Sequence, residues 1–276
     1  MPDRDIYQAI LAAHDASEPV VLATVVRTRG AVPRRAGTHM LIYEDGRFLG
    51  TIGGGEMERR VIQEARNAIE TGEGSLFAYD FVDPEAGDVG VCGGTMEVYV
   101  EPLLPEPTVV VIGCGHVGKA VATLAKWAGF RVVVTDDRAE FCNPDFIPDA
   151  DVYLPVPTAD VHTHIPKNRW TYIAALTRGS QVDQELLPPL LDSPVPYIGC
   201  IGSRRRWAVT AEALRERGVT EAQLARVHSP IGLELNAETP EEIAVSIVAE
   251  IIMVMRGGTG ERMKMELPPA PERRKS

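Results

Sequence analysis

A glycine-rich turn in the middle of the chain constrains the fold more than any other sequence feature. Residues 113–118 are Gly-Cys-Gly-His-Val-Gly; they follow the apolar run from Val109 to Ile112 and open an alanine-rich amphipathic stretch. A second β-branched run ends at Asp136, about 20 residues beyond the turn. Strand, glycine turn, helix and strand in this order are typical of the first unit of a Rossmann domain. The sequence therefore predicts a nucleotide-binding α/β domain.

The same residues predict how a nucleotide would bind. Glycines let the backbone approach a pyrophosphate, and the first amides of the following helix point at it. An acid at the end of the second strand can accept hydrogen bonds from both ribose hydroxyls and would repel a 2′-phosphate, which favours NAD(H) or another adenosine ligand over NADP(H). Arg138 weakens that preference, and a turn that has lost its ligand is the alternative. The candidate nucleotide-binding residues are Gly113, Gly115, His116, Gly118 and Asp136.

A proline-rich segment, EPLLPEP at 101–107, predicts a domain junction because proline stiffens the chain and removes ladder donors. After it, β-branched runs alternate with helical ones, which favours a doubly wound parallel sheet. We predict an N-terminal α+β domain over 1–104, a Rossmann-like domain over 105–256 and a disordered tail over 257–276. The predicted N-terminal elements are helix 3–16, strand 20–28, a hairpin over 38–52, helix 56–70 and strands 75–81 and 95–103. The predicted later elements are strands 108–113, 131–136, 150–155, 172–176 and 196–202, and a helix over 239–255 with a capping box at Thr239 and Glu242.

Composition and charge exclude several classes of function. The chain has 39 acidic and 28 basic residues and a formal net charge of −11, so a polyanion such as DNA would be repelled on average. No apolar run reaches the ~18 residues of a membrane span, and the N-terminus lacks the apolar centre of a secretory signal. Four cysteines without a CxxC pair are too sparse for a disulfide scaffold. We therefore expect a cytoplasmic protein that does not bind nucleic acid and does not span a membrane.

Two further glycine-rich loops lie in the N-terminal half. Residues 51–56 carry three consecutive glycines between a strand and a helix, where exposed amides can hold an anion. Residues 91–94 place a thiol beside two glycines, and several arginines cluster near Gly30. These loops predict a site for a phosphate-bearing, sulfur-compatible ligand. The arginines could instead form a solvated face, and Cys92 could be a small buried hydrophobe.

Metal ligands are not recognisable at any of these positions. Glu56, Glu58, Glu97 and Glu101 have no histidine at ligand spacing, and a single His-x-His pair at 162–164 is weak evidence for zinc. We predict no metal site and assign no catalytic residue.

Several long motifs in series resemble one family, the xanthine dehydrogenase accessory factor (XdhC/CoxI) family. The motifs that are similar to its first domain are TVVRTRGAVPRRAGTHML at 24–41, GTIGGG at 50–55 and VCGGTMEVYVEP at 91–102. Those that are similar to its Rossmann domain lie at 111–141, 197–206 and 229–252. The resemblance covers roughly residues 5–255 in the same order.

This resemblance implies a maturation factor rather than a turnover enzyme. Members bind the molybdenum cofactor, assist its sulfuration and deliver it to xanthine dehydrogenase or a related molybdenum hydroxylase. A cysteine desulfurase and a second copy of the chain, in a homo-oligomer, are the other partners expected. By motif, the residues expected to hold the cofactor are Arg34, Gly53, Gly54, Gly55, Cys92, Gly93 and Gly94. The main alternative is an NAD(P)-dependent oxidoreductase acting on a small molecule; a regulatory nucleotide sensor is a third.

The chain departs from the family pattern at three positions. Glu56 follows the triple glycine where the family often has cysteine, so any thiol chemistry there is weakened or passes to Cys92. Ser180 stands near a usual histidine, and Asn236 occupies a usual glycine position. A specialised or non-catalytic paralogue is therefore a further alternative.

Overall fold

The fold consists of one antiparallel and one parallel sheet, each in its own unit of the chain. The computed structural model describes residues 2–81 and 93–264. The chain divides into the compact units Met1–Glu106 and Pro107–Ser276. The predicted α/β class, with a Rossmann-like sheet in the second half, is confirmed. Cys92 and most of the tail that we expected to be disordered, 265–276, lie outside the described residues.

The first unit is an antiparallel sheet with helices packed on it. Its elements are α1 (Pro2–Asp15), β1 (Val20–Arg29), β2 (His39–Tyr43), β3 (Phe48–Gly50), α2 (Gly55–Thr71), β4 (Ser75–Asp80) and β5 (Thr95–Leu103). The strand order is β3-β2-β1-β5-β4. Helix α2 buries an apolar stripe that includes Met57, Val61, Ala65 and Ile69, and it packs against β5 and β1.

Three connections of this unit leave the same end of the sheet. The register pairs Arg29 with Thr95, Asp80 with Thr95, and Met40 with Gly50. The end of β1, the start of β2, the end of β3, the end of β4 and the start of β5 therefore lie side by side. The β1–β2, β3–α2 and β4–β5 connections are all at this end, and the β2–β3 hairpin turn is at the other.

The second unit is a six-stranded parallel sheet with helices on both faces. Its first half comprises β6 (Thr108–Ile112), α3 (His116–Trp127), β7 (Arg131–Thr135), β8 (Val152–Leu154), a 3-10 turn (Thr158–Asp160) and α4 (Val161–His164). Its second half comprises β9 (Thr171–Ala175), α5 (Ser180–Leu191), β10 (Tyr197–Cys200), α6 (Arg204–Glu216), α7 (Glu221–Leu224), β11 (Val227–His228) and α8 (Pro240–Arg256). The order β8-β7-β6-β9-β10-β11 is that of a Rossmann fold, with its switch point between β6 and β9. A ligand crevice is therefore expected beyond the carboxyl ends of these two strands.

The predicted cap of the last helix is confirmed. The Thr239 hydroxyl accepts a hydrogen bond from the Glu242 amide, and the Glu242 carboxylate accepts one from the Thr239 amide. Pro240 occupies the first helical position, where its missing N–H has no cost. None of the helices in the described ranges is long and apolar enough to cross a membrane.

Helix α5 contains two prolines, and an arginine from outside the helix replaces the donor that the first of them removes. Pro188 has no N–H for the carbonyl of Gln184, one turn earlier. Arg217 Nη1 donates to that carbonyl at 3.0 Å, and Arg217 Nη2 donates to the Gln184 side-chain oxygen at 3.2 Å. The carbonyl is therefore satisfied although the helical bond is absent.

Candidate functional site

The three glycines of the Rossmann turn have different roles. A Cβ on Gly118 would collide with the carbonyl oxygen of Gly113, and one on Gly113 would collide with that of Leu176. Gly113 also has a φ of 110°, which disfavours any side chain. At Gly115, by contrast, φ is −70° and a Cβ would meet no atom within 4 Å. Gly113 and Gly118 are thus required by the fold, whereas Gly115 leaves space in the crevice.

The start of α3 completes the part of the crevice that would take a pyrophosphate. Gly115 is the N-cap of this 12-residue helix and makes no side-chain capping bond. The first amides of α3 are therefore available to an anion. His116, the first residue of the helix, is exposed. These features fit the phosphates of a nucleotide.

Asp136, the predicted ribose ligand, is occupied by the protein itself. Its Oδ2 accepts hydrogen bonds from the Cys114 amide at 2.8 Å and from Arg138 Nη2 at 2.9 Å. Its Oδ1 accepts from the Arg138 amide at 3.0 Å and from Arg138 Nε at 2.9 Å. Burial alone would raise the pKa of Asp136, but these bonds outweigh burial and lower the pKa to about 2. The carboxylate is therefore ionised and holds the glycine turn against β7.

A second ion pair spans the mouth of the crevice. Arg178, in the loop after β9, donates from Nη2 to both carboxylate oxygens of Asp137, which follows β7, at 2.8 and 2.7 Å. Because β6 lies between β7 and β9, this pair crosses above the end of β6. A small cavity of 70 Å³ lies here, lined by Gly113, Gly115 and both members of the pair.

A buried ion pair that the sequence did not predict supports the far side of the crevice. Asp183 on α5 is 1% exposed, and its carboxylate accepts from Arg206 Nε at 3.0 Å and Nη2 at 2.7 Å. Arg206 also donates to the carbonyl of Thr177, and the Thr177 hydroxyl donates to Asp183. Burial, with Asp183 nearby, raises the pKa of Cys200 to about 12, so this thiol stays protonated. The network fixes the loop that carries Arg178.

In the first unit, the glycine-rich loops interlock at the shared end of the sheet. A Cβ on Gly30 would lie 3.0 Å from the Gly93 oxygen, and one on Gly94 would collide with the carbonyl of Ala31. A Cβ on Gly53 would lie 2.6 Å from Pro33 Cγ. The structure therefore brings the triple-glycine loop and the Gly93-Gly94 segment together through the β1–β2 connection.

Three of the predicted glycines of this unit border open space, and the predicted arginine is exposed. A Cβ on Gly54, Gly55 or Gly93 would meet no atom within 4 Å. Arg34 is exposed, and its Nη1 donates to the neighbouring carbonyl of Pro33 at 3.0 Å. Cys92 lies outside the described residues. Gly54, Gly55 and Gly93 thus leave room for a ligand at the end of the sheet, and Arg34 lies in the β1–β2 connection at the same end.

Glu58 occupies the anion-binding amides that the triple glycine predicts. Its Oε1 accepts hydrogen bonds from the Thr51 hydroxyl at 2.5 Å and from the amides of Ile52 at 3.2 Å and Gly54 at 2.9 Å. Side chains on a helix point toward its N-terminus, so a residue one turn into α2 reaches back over the loop. Burial alone would raise the pKa of Glu58, but these bonds lower it. An internal carboxylate therefore stabilises the loop, and a ligand anion would have to displace it or bind beyond it.

We expect Glu58→Ala to lower the free energy of unfolding of the first unit by about 1–3 kcal/mol, because three donors lose their acceptor. Glu58→Gln, which keeps one oxygen, should cost less. Because the folded pKa lies below its ordinary value, this stabilisation is present above pH ~4.5 and is lost as the pH falls through the folded pKa. Urea unfolding from pH 3 to 7 measures both effects. Glu70→Gln, an exposed change on the same helix, is the control; an equal loss there would contradict the role of Glu58.

The structure gives a local setting for each of the three residues that depart from the family pattern. Glu56 forms an ion pair with Arg59 at 2.6 Å. Ser180 is the first residue of α5. Asn236 has a φ of 54°, a conformation that asparagine tolerates better than most residues and that glycine adopts freely. Within the described ranges, no group of three or more His, Cys, Asp and Glu side chains could hold a metal ion.

Two family models match the chain. The model described as the XdhC Rossmann domain matches residues 109–251, and that of the XdhC and CoxI family matches residues 13–80. The chain is 36% identical over 246 residues to YqeB of Escherichia coli; the match covers 89% of this chain but 45% of YqeB. The chain thus spans less than half the length of that relative.

Two other relatives match this chain over most of their own length. The chain is 24% identical to a protein of Bacillus subtilis named as a probable xanthine dehydrogenase component, covering 87% of this chain and 94% of that one. It is also 24% identical to the molybdenum cofactor insertion chaperone PaoD of Escherichia coli, covering 91% and 88%. The crystal structure of a xanthine dehydrogenase from Bacillus halodurans has a similar fold, with a TM-score of 0.50 and 24% identity over 94% of this chain and 97% of that one.

Proposed function

The chain belongs to the XdhC and CoxI family, and on that premise we propose that it is a molybdenum-cofactor maturation factor. It binds the cofactor, protects it during sulfuration and delivers it to a molybdenum hydroxylase such as xanthine dehydrogenase. A cysteine desulfurase supplies the sulfur. A relative named as a molybdenum cofactor insertion chaperone, with most of its length matched, supports this proposal.

The observation that carries the proposal is the end of the antiparallel sheet where the three loops meet. The cofactor is a pterin dithiolene with a phosphate, so its holder needs clearance for a flat ring and donors for an anion. Gly54, Gly55 and Gly93 leave clearance, and the exposed Arg34, in the connection at the same end of the sheet, is the cation that we assign to the phosphate. Because Glu58 takes the amides of Ile52 and Gly54, we place the phosphate nearer the guanidinium than the centre of the glycine loop.

We further propose that the Rossmann crevice binds an adenine nucleotide. The open space at Gly115 and the uncapped start of α3 fit a pyrophosphate there. Such a ligand would bias the conformation in which the protein docks on its client, and its expected dissociation constant is in the micromolar-to-millimolar range, about −8 to −4 kcal/mol.

Cofactor retention tests the site in the first unit. We expect Arg34→Ala to weaken retention about tenfold or more, because a charge-assisted hydrogen bond to a phosphate is lost. Cys92→Ser should leave folding unchanged and reduce either retention or sulfuration of the cofactor in the client. The measurement is the molybdenum and pterin content of protein recovered from cells that make the cofactor, together with the activity of the client hydroxylase.

Arg47→Ala is the matched control, because Arg47 is exposed at the hairpin turn and pairs with Asp45 and Glu18. If the Arg34 and Arg47 variants retain the same amount of cofactor, the site is elsewhere. If the wild-type protein carries no cofactor and recovers no client in pull-downs, but turns over NADH with a small substrate, the oxidoreductase alternative replaces the proposal.

A further inference from the structure

The group that the crevice presents to a ligand at the end of β7 is a guanidinium rather than a carboxylate. The Asp136 side chain is 3% exposed, whereas that of Arg138 is 30% exposed. A ribose that approached this point would meet Arg138 first. The acid expected to accept the ribose hydroxyls lies behind it.

The hydrogen bonds of Asp136 leave little capacity for a ligand. A carboxylate has about four lone-pair sites. Asp136 receives four hydrogen bonds, one from Cys114 and three from Arg138. To accept two ribose hydroxyls it would have to release the guanidinium, which would leave Arg138 without its charged partner.

Arg138 itself still has donors to offer. A guanidinium has about five N–H groups, and the bidentate bond to Asp136 uses two of them. Its remaining N–H groups lie on the edges turned away from that carboxylate. The Phe141 ring lies 4.3 Å from the Arg138 guanidinium carbon and supports one face of the group. Asp136 and Phe141 therefore hold Arg138 in one orientation, as a reader of a planar or tetrahedral anion requires.

The neighbouring acid, Asp137, is hydrogen-bonded to a different arginine. Asp137 is bound by Arg178 through both carboxylate oxygens. Asp137 also lies 3.9 Å from Arg138 Nε, too far for a hydrogen bond, so each of the two acids after β7 is hydrogen-bonded by a different arginine. In Rossmann domains, an arginine near the end of the second strand accommodates the 2′-phosphate that distinguishes NADP from NAD.

We propose that this crevice selects a 2′-phosphorylated adenine dinucleotide, with Arg138 as the specificity-determining residue and Asp136 as the positioning residue behind it. This reverses the preference that an acid at the end of the second strand predicts. The inference rests on the nucleotide site proposed above and is independent of the molybdenum-cofactor site.

Calorimetric titration of the full chain with NADPH and NADH, at one fixed ionic strength, tests the proposal. We expect NADPH to bind about tenfold or more tightly than NADH. Arg138→Ala should remove that difference by weakening NADPH, and should leave NADH binding unchanged or tighter because Asp136 is uncovered. Arg138→Lys should keep only part of the difference, because lysine lacks the bidentate fork. Asp136→Asn should weaken NADPH more than NADH, so that the ratio of the two affinities falls; a purely structural role would weaken both dinucleotides equally.

Two further variants separate a loss of specificity from a loss of folding. Arg138→Ala leaves a buried carboxylate unpaired, so the double variant Asp136→Asn with Arg138→Ala is titrated as well, with a melting curve for each protein. Arg215→Ala, on α6 and paired with Glu221, is the control and should keep the preference. Equal or tighter binding of NADH by the wild type overturns the specificity and leaves the nucleotide site standing. No binding of either dinucleotide overturns the specificity, and no binding of any adenine nucleotide overturns the site as well.

Discussion

Gly118→Ala is expected to lower the free energy of unfolding of the Rossmann unit by about 3 kcal/mol or more, or to prevent its folding. The added Cβ would collide with the Gly113 carbonyl oxygen, which is backbone and cannot rotate away. Strand β6 and helix α3 would have to separate, although their contact forms part of the buried core. Urea unfolding monitored by far-ultraviolet circular dichroism measures the loss.

Gly115 in the same turn provides the control. Gly115→Ala should change the free energy of unfolding by no more than about 0.5 kcal/mol, because its Cβ would meet no atom within 4 Å. Gly115→Val should still fold, at a cost of about 1 kcal/mol for a poorer N-cap, but should abolish nucleotide binding, because its side chain would enter the space left for the pyrophosphate. Similar stability losses at 115 and 118 would contradict the division of roles between these glycines.

The second large effect is expected at the buried ion pair on the far side of the crevice. Arg206→Met should lower the free energy of unfolding by about 3–5 kcal/mol, because it leaves the buried Asp183 carboxylate without its cation. The carbonyl of Thr177 would also lose its donor. Thermal and urea unfolding of the purified variant measure the loss.

Two comparisons separate this mechanism from a general intolerance of α6. Arg205→Met changes the adjacent, exposed residue and should stay within about 0.5 kcal/mol of the wild type. Adding Asp183→Asn to Arg206→Met should recover part of the loss, because the uncompensated charge is then absent. If the double variant is less stable than Arg206→Met alone, the charge is not the cause.

The fold could be predicted largely because its strongest signals are local. The glycine turn, the β-branched runs and the capping box of α8 each specify a short segment through sterics or hydrogen bonds between near neighbours. Periodicity predicted α2 within one residue at each end. Strand β11 was missed because two residues, Val227 and His228, show no period; they are a strand only because β10 lies beside them.

The candidate site was less predictable because its key contacts join residues that are distant in the chain. No spacing rule connects Asp183 with Arg206 or Asp137 with Arg178. Two other contacts could have been found from the sequence. Arg138 is two residues from Asp136, and Glu58 lies one turn inside a helix whose first amides need acceptors. Three glycines in a row predict amides that can hold an anion, and the anion on the Ile52 and Gly54 amides is the protein's own Glu58 carboxylate.

The arginine that supports the proline-containing helix links two distant positions in evolution. Arg217 donates to the carbonyl that Pro188 leaves without a partner. In a lineage that keeps Pro188, replacing Arg217 would leave this exposed carbonyl to water alone, so substitutions at position 217 are disfavoured. In a lineage where a residue with an N–H has replaced Pro188, that N–H can donate to the Gln184 carbonyl within the helix. Position 217 can then accept other residues. Substitutions at these two sites should therefore be accepted in one order more readily than in the other.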